Sequence, residues 1–164
     1  TTMTIRTGER IPDNRVATMA DGQPTTLETG DFFAGKTVVL FAVPGAFTPT
    51  CSARHLPGFV EQLSSFHDHG VDTVACLSVN DAYVMEAWRK SAGAEGIDML
   101  ADGNADFTRA LGLDTDASAF CMGVRARRFA LVAEDGIVTA LYVEEPGDFR
   151  VSSAEYVLAR MGER

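Results

Sequence analysis

One cysteine, Cys51, stands in a setting that favours chemistry at its sulfur. It closes the stretch PGAFTPTC at positions 44–51. Within this stretch Thr48 fits a helix N-cap and Pro49 the first helical position, which places Cys51 in the first turn of a helix. Free amides and the helix dipole at such an end favour the thiolate, the form of cysteine that attacks electrophiles. The residues therefore predict a nucleophilic cysteine.

Two secondary-structure elements must position this turn. The run Thr37–Val43 is continuously apolar or β-branched, which is typical of a strand buried on both faces. After the cysteine, apolar residues recur at three- and four-residue spacing, which predicts a helix with one apolar face. These residues are Leu56, Phe59, Val60, Leu63 and Phe66. Pro57 lies inside this period, so we expect it to kink the helix rather than end it.

The rest of the chain predicts an alternating α/β arrangement. Val71–Val79 reads as a second buried strand, parallel to the first across a helical crossover. The runs Arg127–Ala133 and Ile137–Val143 are joined through Asp135-Gly136, a strong signal for an antiparallel hairpin. Ser152 and Glu155 have the spacing of a capping box before a final amphipathic helix.

The motif around Cys51 resembles the Pro-x-x-x-Thr-x-x-Cys signature of the peroxiredoxins, with Pro44 and Thr48 at the other fixed positions. Three more segments are similar to the peroxiredoxin 5, or type II, subfamily, so the resemblance covers nearly the whole chain. These segments are His55–Val60, Ala75–Asp81 and Arg125–Ala130. The resemblance implies an α/β, thioredoxin-like fold with a central mixed β-sheet flanked by helices.

The same resemblance implies a thiol-dependent peroxidase that reduces hydrogen peroxide and alkyl hydroperoxides. Cys51 would be the peroxidatic nucleophile that becomes a sulfenic acid. Thr48 would bond the peroxide, Pro44 would shield the sulfenic acid, and Arg128 would be the active-site arginine. Strand alternation sends Arg127 and Arg128 to opposite faces, and spacing alone does not choose between them. The resemblance selects Arg128.

Regeneration of the cysteine is expected to need an external thiol. Some relatives carry a second, resolving cysteine near the end of the chain, where this sequence has Ser152 and Ser153. The resemblance favours glutathione with glutaredoxin as reductant, with thioredoxin as the alternative, and it implies a homodimer. Cys76, in a predicted buried strand, and Cys121, in a loop or interface, are expected to be packing residues. Whether Cys76 or Cys121 acts as a resolving cysteine, by forming a disulfide with oxidised Cys51, stays open.

Other functions for a reactive Cys51 must be weighed beside this one. A peroxide-sensing or chaperone-like redox binding protein would be oxidised once per event instead of turning over. A cysteine hydrolase would need a histidine base, and His55 lies one helical turn after Cys51. A thioredoxin-type disulfide oxidoreductase is disfavoured because the sequence has no Cys-x-x-Cys pair.

Composition limits the remaining possibilities. With 164 residues the chain suits a single domain over 1–164. A formal charge of −9 repels phosphate backbones and anionic lipid, so we expect neither nucleic acid nor a membrane as partner. The start of the chain lacks the pattern of a secretory signal, and three scattered cysteines suit a reducing, cytoplasmic location. We expect no metal or cofactor. Gly30–Thr37 matches the sequence pattern of a phosphate-binding loop. Such a loop needs a strand before it and a helix after it, whereas here the predicted strand comes after the loop, so we do not expect nucleotide binding.

Overall fold

The computed structural model describes residues 3–162 as a large β-sheet with helices on both faces and a small two-stranded ribbon. The strands are β1 (Arg15–Ala20), β2 (Gln23–Glu28), β3 (Thr37–Ala42), β4 (Thr73–Ser78), β5 (Asp98–Ala101), β6 (Asp114–Asp116), β7 (Val124–Ala126), β8 (Phe129–Glu134) and β9 (Ile137–Val143). The α-helices are α1 (Thr29–Phe33), α2 (Leu56–Glu61), α3 (Leu63–Asp68), α4 (Ala82–Ser91), α5 (Asp106–Ala110) and α6 (Ala154–Met161). A π-helical turn, Cys51–His55, precedes α2, and a short 3-10 turn, Ser118–Phe120, lies between β6 and β7.

The large sheet has the strand order β2-β1-β5-β4-β3-β8-β9. Strand β3 lies inside it, parallel to β4 and antiparallel to β8, as its unbroken apolar sequence predicts. The predicted hairpin is confirmed as β8 and β9, which pair antiparallel. At the other edge β1 and β2 form a second antiparallel hairpin. The sheet is therefore mixed, and the predicted α/β class is confirmed.

Alternate residues of β3 enter two different cores. Val39 and Phe41 face a core shared with α2, α3, α4 and α6, which also contains the buried Cys51. Val38 and Leu40 face the opposite core, which is closed by α1 and α5. The carboxyl end of β3 leads directly into the turn that precedes Cys51, so the central strand fixes where the sulfur lies.

The helix after Cys51 differs from the predicted one. It starts with a π-helical turn, in which the amide of Leu56 donates to the carbonyl of Cys51 five residues earlier. Pro57 has no N–H to donate to the carbonyl of Ala53, and the wider turn occurs where that α-helical bond is missing. The chain is interrupted again at Gln62, between α2 and α3. In place of the expected single kink, the helix has a π-helical turn over Cys51–His55 and a second interruption at Gln62.

Two further expectations shift by a residue or two. Strand β8 begins at Phe129, so Arg128 lies immediately before the strand. The cap of α6 is Ser153, whose hydroxyl accepts from the amide of Tyr156, and not Ser152. Ser152 is fully buried and its hydroxyl donates to a carboxylate, which removes it from the capping role.

Candidate active site

The turn between β3 and Cys51 leaves little room for a side chain at Gly45 and is held from the loop after a neighbouring strand. A Cβ on Gly45 would lie 3.2 Å from a methyl carbon of Thr48 and 3.3 Å from a guanidinium nitrogen of Arg125. Phe47 has a φ of 65°, a left-handed conformation that costs a bulky residue about 1–2 kcal/mol. The side chain of Asn80, which follows β4, offsets part of that cost by accepting the amide of Ala46 at 3.0 Å.

Two side chains from different elements converge on the sulfur of Cys51. Cys51 itself is fully buried. Thr48 Oγ1 lies 2.7 Å from Sγ and 2.8 Å from the carbonyl oxygen of Gly45, so its single proton has two acceptors. Arg128, the residue before β8, donates from Nη2 to Sγ over 3.1 Å. The predicted Cys51, Thr48 and Arg128 therefore lie together, although 77 residues separate the cysteine from the arginine.

The contacts of Thr48 differ from those predicted. It occupies the predicted N-cap position, since its carbonyl accepts the amide of Ser52 at 2.9 Å. Its hydroxyl, however, points to the sulfur and to Gly45 and not to a helical amide. A hydroxyl and a guanidinium therefore contact the sulfur, in addition to the helix amides that the sequence predicts there.

Arg128 is fixed on its other side by His55. Its Nη1 donates to His55 Nδ1 at 2.8 Å, while His55 Nε2 lies 2.9 Å from the carbonyl oxygen of Ser152. Because that carbonyl only accepts, the proton of the imidazole is on Nε2. The ring of Phe149 lies against this pair, 4.9 Å from the His55 ring and 5.8 Å from the Arg128 guanidinium carbon.

This arrangement excludes His55 as a general base for Cys51. Burial, followed by the positive charge of Arg128, lowers the pKa of His55 to about 3, so the ring is neutral at physiological pH. Its one lone pair on nitrogen is already engaged by Arg128. A cysteine hydrolase needs a histidine whose free nitrogen takes the thiol proton. The hydrolase alternative is therefore wrong for this site.

Chemically, the site is built to hold a negative charge on sulfur and next to it. A guanidinium is always charged, and hydrogen bonds to a charged group are about twice as strong as neutral ones. The same donors can stabilise charge on a second atom that approaches the sulfur. Within residues 3–162, no cluster of three or more His, Cys, Asp or Glu side chains is placed to hold a metal ion.

Pro44 lines a cavity next to this site. The cavity has a volume of about 320 Å³, and Arg128 and Thr50 also line it. Phe120 and Met122 add apolar surface to the same cavity. Arg128 thus both lines the cavity and donates to the sulfur of Cys51, which is itself fully buried.

The other two cysteines have contrasting surroundings. Cys76 is fully buried in β4, and burial, followed by the nearby Cys51, raises its pKa well above the ordinary value. This agrees with the predicted packing role. Cys121 is exposed, with a φ of 60°, directly after the turn Ser118–Phe120, so it lies in a loop as expected, and packing at an interface stays a prediction. All three thiols are free.

Sequence reasoning missed several residues that support the site. The sequence predicts a role in the chemistry for His55 only as a base, and it predicts no role in the site for Glu144 or Asn80. Glu144 is buried, and its carboxylate binds backbone amides of residues 150–152, a set of partners that leaves no pattern of side chains in the sequence. Asn80 lies directly after a predicted strand, a position that signals a site in parallel sheets.

Among the described residues, no helix is long and apolar enough to cross a membrane. Comparison with known proteins connects the site to a family. Residues 6–158 match the Redoxin family. The chain is 50% identical to peroxiredoxin-2E-2, chloroplastic, of Oryza sativa over 94% of this chain and 72% of that protein.

Two solved structures have the same fold. The crystal structure of reduced Prx3 from Vibrio vulnificus in complex with hydrogen peroxide is 46% identical, with a TM-score of 0.94 over 96% of this chain and 99% of that one. Peroxiredoxin 5 from Alvinella pompejana is 32% identical, with a TM-score of 0.85 over 98% and 99% of the two chains. Sequence, fold and the Pro44–Cys51 motif agree, and the chain belongs to the peroxiredoxin family, in its peroxiredoxin 5, or type II, branch.

Proposed function

We propose that this peroxiredoxin reduces hydrogen peroxide and alkyl hydroperoxides through a sulfenic acid on Cys51, and that glutathione with glutaredoxin regenerates the thiol. The observation that carries the proposal is the convergence of Thr48 Oγ1 and Arg128 Nη2 on Cys51 Sγ, at 2.7 and 3.1 Å. A relative that is 46% identical has been solved with hydrogen peroxide, which supports a peroxide as the substrate.

In the oxidation step the Cys51 thiolate attacks one oxygen of the peroxide. A sulfur–oxygen bond forms, the oxygen–oxygen bond breaks with its electron pair, and the leaving oxygen takes a proton to become water or an alcohol. The Arg128 guanidinium stabilises the charge as it moves from sulfur to the leaving oxygen. The hydroxyl of Thr48 hydrogen-bonds the peroxide, and Pro44 limits access to the sulfenic acid.

In the reduction step an external thiol attacks the sulfenic sulfur and releases water, which leaves a mixed disulfide on Cys51. A second thiol then attacks that disulfide, restores the Cys51 thiol and forms a new disulfide. The surroundings of Ser152 support this route, because the buried serine donates to Glu144 where some relatives carry a resolving cysteine. Thioredoxin is the alternative source of the two electrons.

A homodimer is part of the proposal. Two aromatic rings beside the site are exposed, Phe47 by 52% and Phe120 by 78%. Large exposed rings commonly mark an interaction surface. Light scattering across a concentration series, on the wild type and on Phe120→Ser, tests this part. A wild type that stays monomeric throughout the series refutes it.

Steady-state peroxide consumption with glutathione and glutaredoxin tests the proposed cycle. We expect wild type and a Cys76→Ser/Cys121→Ser double variant to turn over, and Cys51→Ser to be inactive. An inactive double variant whose Cys51 is still oxidised by peroxide would identify an internal resolving thiol. A wild type that is oxidised once and does not turn over with glutathione or thioredoxin would indicate a sensor instead.

A further inference from the structure

We infer that Glu144 is a positioning residue for this site and acts on Arg128 through the carbonyl of Ser152 and the ring of His55. The inference rests on the proposed function only for its relevance to peroxide turnover, since the contacts that carry it do not depend on any substrate. They form a continuous chain from a buried carboxylate to the sulfur of Cys51.

The first link is a cradle for the carboxylate. Glu144 is only 4% exposed. Its Oε2 accepts the successive amides of Arg150, Val151 and Ser152, each at 2.8 Å, and the hydroxyl of Ser152 at 2.7 Å. Successive amides that point inward make an anion-binding concavity, and bonds to a carboxylate are strong. The charge of Glu144 thus fixes the backbone at residues 150–152.

The second link is the choice of tautomer at His55. The carbonyl of Ser152, held by the cradle, accepts the Nε2 proton of His55 at 2.9 Å. That bond leaves the lone pair on Nδ1 free to accept from Arg128 at 2.8 Å. If the carbonyl moved away, the proton could settle on Nδ1, where it would oppose the guanidinium. The position of Ser152 therefore decides whether Arg128 has an acceptor.

Glu144 also holds the main chain beside Arg128. Its amide donates to the carbonyl of Arg128 at 2.9 Å, and its own carbonyl accepts from Arg127 Nη2 at 3.3 Å. The residue therefore fixes the backbone of Arg128 directly and the guanidinium indirectly. With both ends fixed, Nη2 is directed at Cys51 Sγ over 3.1 Å.

The test is Glu144→Gln, which keeps the shape of the side chain but removes its charge and turns one oxygen into a donor. The first readout is the rate of Cys51 alkylation by iodoacetamide at pH 7 in a Cys76→Ser/Cys121→Ser background. The second is the tautomer of His55, read from ¹⁵N shifts. We expect alkylation to slow ~10-fold and the Nε2-protonated form to lose its dominance.

Asp102→Asn is the matched control. Asp102 is the other carboxylate in the described chain that is buried and accepts backbone amides, from Phe107 and Thr108, but it has no contact with Cys51 or Arg128. It should lose stability without a change in the rate of Cys51 alkylation or in the His55 tautomer. If Glu144→Gln does not fold, Ser152→Ala removes one of the four donors, and we expect a smaller decrease in the alkylation rate.

Neither readout uses peroxide, so the role of Glu144 and the proposed function can each be refuted without the other. An unchanged alkylation rate and an unchanged His55 tautomer in Glu144→Gln, with an active wild type, overturn the role of Glu144 alone. Equal shifts in Glu144→Gln and Asp102→Asn overturn it too, because general loosening of the fold would then explain both. A wild type that does not consume peroxide overturns the proposed function, and the alkylation of Cys51 and the His55 tautomer then still decide the role of Glu144.

Discussion

Replacing Arg128 by methionine should slow the reaction of Cys51 with electrophiles. The guanidinium donates to Cys51 Sγ at 3.1 Å and to His55 Nδ1 at 2.8 Å, and methionine has a similar length but no donor. A hydrogen bond to a charged group contributes about 1.5–3 kcal/mol. Losing it should slow alkylation of Cys51 at pH 7 by about 10- to 150-fold, since 1.36 kcal/mol corresponds to a factor of ten in rate.

The same replacement should change His55 in a defined way. Burial is the larger cause of the lowered pKa of His55, and the charge of Arg128 is the second. Removing the charge should raise that pKa from about 3, but burial should keep it below the ordinary value of 6.5. NMR titration of the ring measures the shift.

The assay is iodoacetamide labelling at pH 7 in a Cys76→Ser/Cys121→Ser background. Because Cys51 is fully buried, access to the sulfur also affects the labelling rate, so each rate is compared with that of a control variant. Arg109→Met is the control, since Arg109 Nη1 donates to the carbonyl of Asn104 at 3.1 Å and belongs to none of the contacts described around the sulfur. A rate that does not fall in Arg128→Met, or that falls equally in Arg109→Met, would refute the reasoning.

Three further outcomes are expected. Thr48→Val should slow oxidation of Cys51 by peroxide ~10-fold in stopped flow, whereas Thr48→Ser, which keeps the hydroxyl, should recover most of the rate; equal rates would contradict the role of the hydroxyl. The pKa of His55 is about 3 when folded and 6.5 when unfolded, so the unfolded chain binds more protons between these values and stability falls as pH drops from 6.5. Urea unfolding at pH 6.5 and pH 5 measures this fall, and between the two pH values the unfolding free energy of His55→Gln should decrease less than that of wild type, by up to about 1.4 kcal/mol per pH unit. An equal decrease in both proteins would refute this. Native labelling at pH 8 should modify exposed Cys121 quickly and leave Cys76, which is buried and has a raised pKa, unmodified; prompt labelling of Cys76 would contradict its burial.

The sequence predicts the central part of this fold because apolar runs and turn residues are local signals. The run Thr37–Val43 predicts the interior strand β3, and Asp135-Gly136 predicts the hairpin of β8 and β9. The π-helical turn at Cys51–His55 was not predicted. It depends on a backbone bond to Leu56 five residues on, and residue types do not reveal that spacing.

The residues of the site likewise fall into those that local sequence reveals and those that it does not. Cys51 and Thr48 are close in sequence, so a motif can reveal them together. Arg128 comes from a distant element, and only the resemblance to a family distinguished it from Arg127. Glu144 acts through backbone amides, which every residue possesses, so no pattern of residue types marks it.

The most direct test of the central claim is a single turnover in the absence of thiol. The Cys76→Ser/Cys121→Ser variant is mixed with one equivalent of hydrogen peroxide, a sulfenic acid trap such as dimedone is added, and the labelled peptide is identified by mass spectrometry. The account predicts one adduct, on Cys51, and its loss in Arg128→Met at matched short times. A peroxide that is consumed without an adduct on Cys51, or with the label elsewhere, would contradict the account.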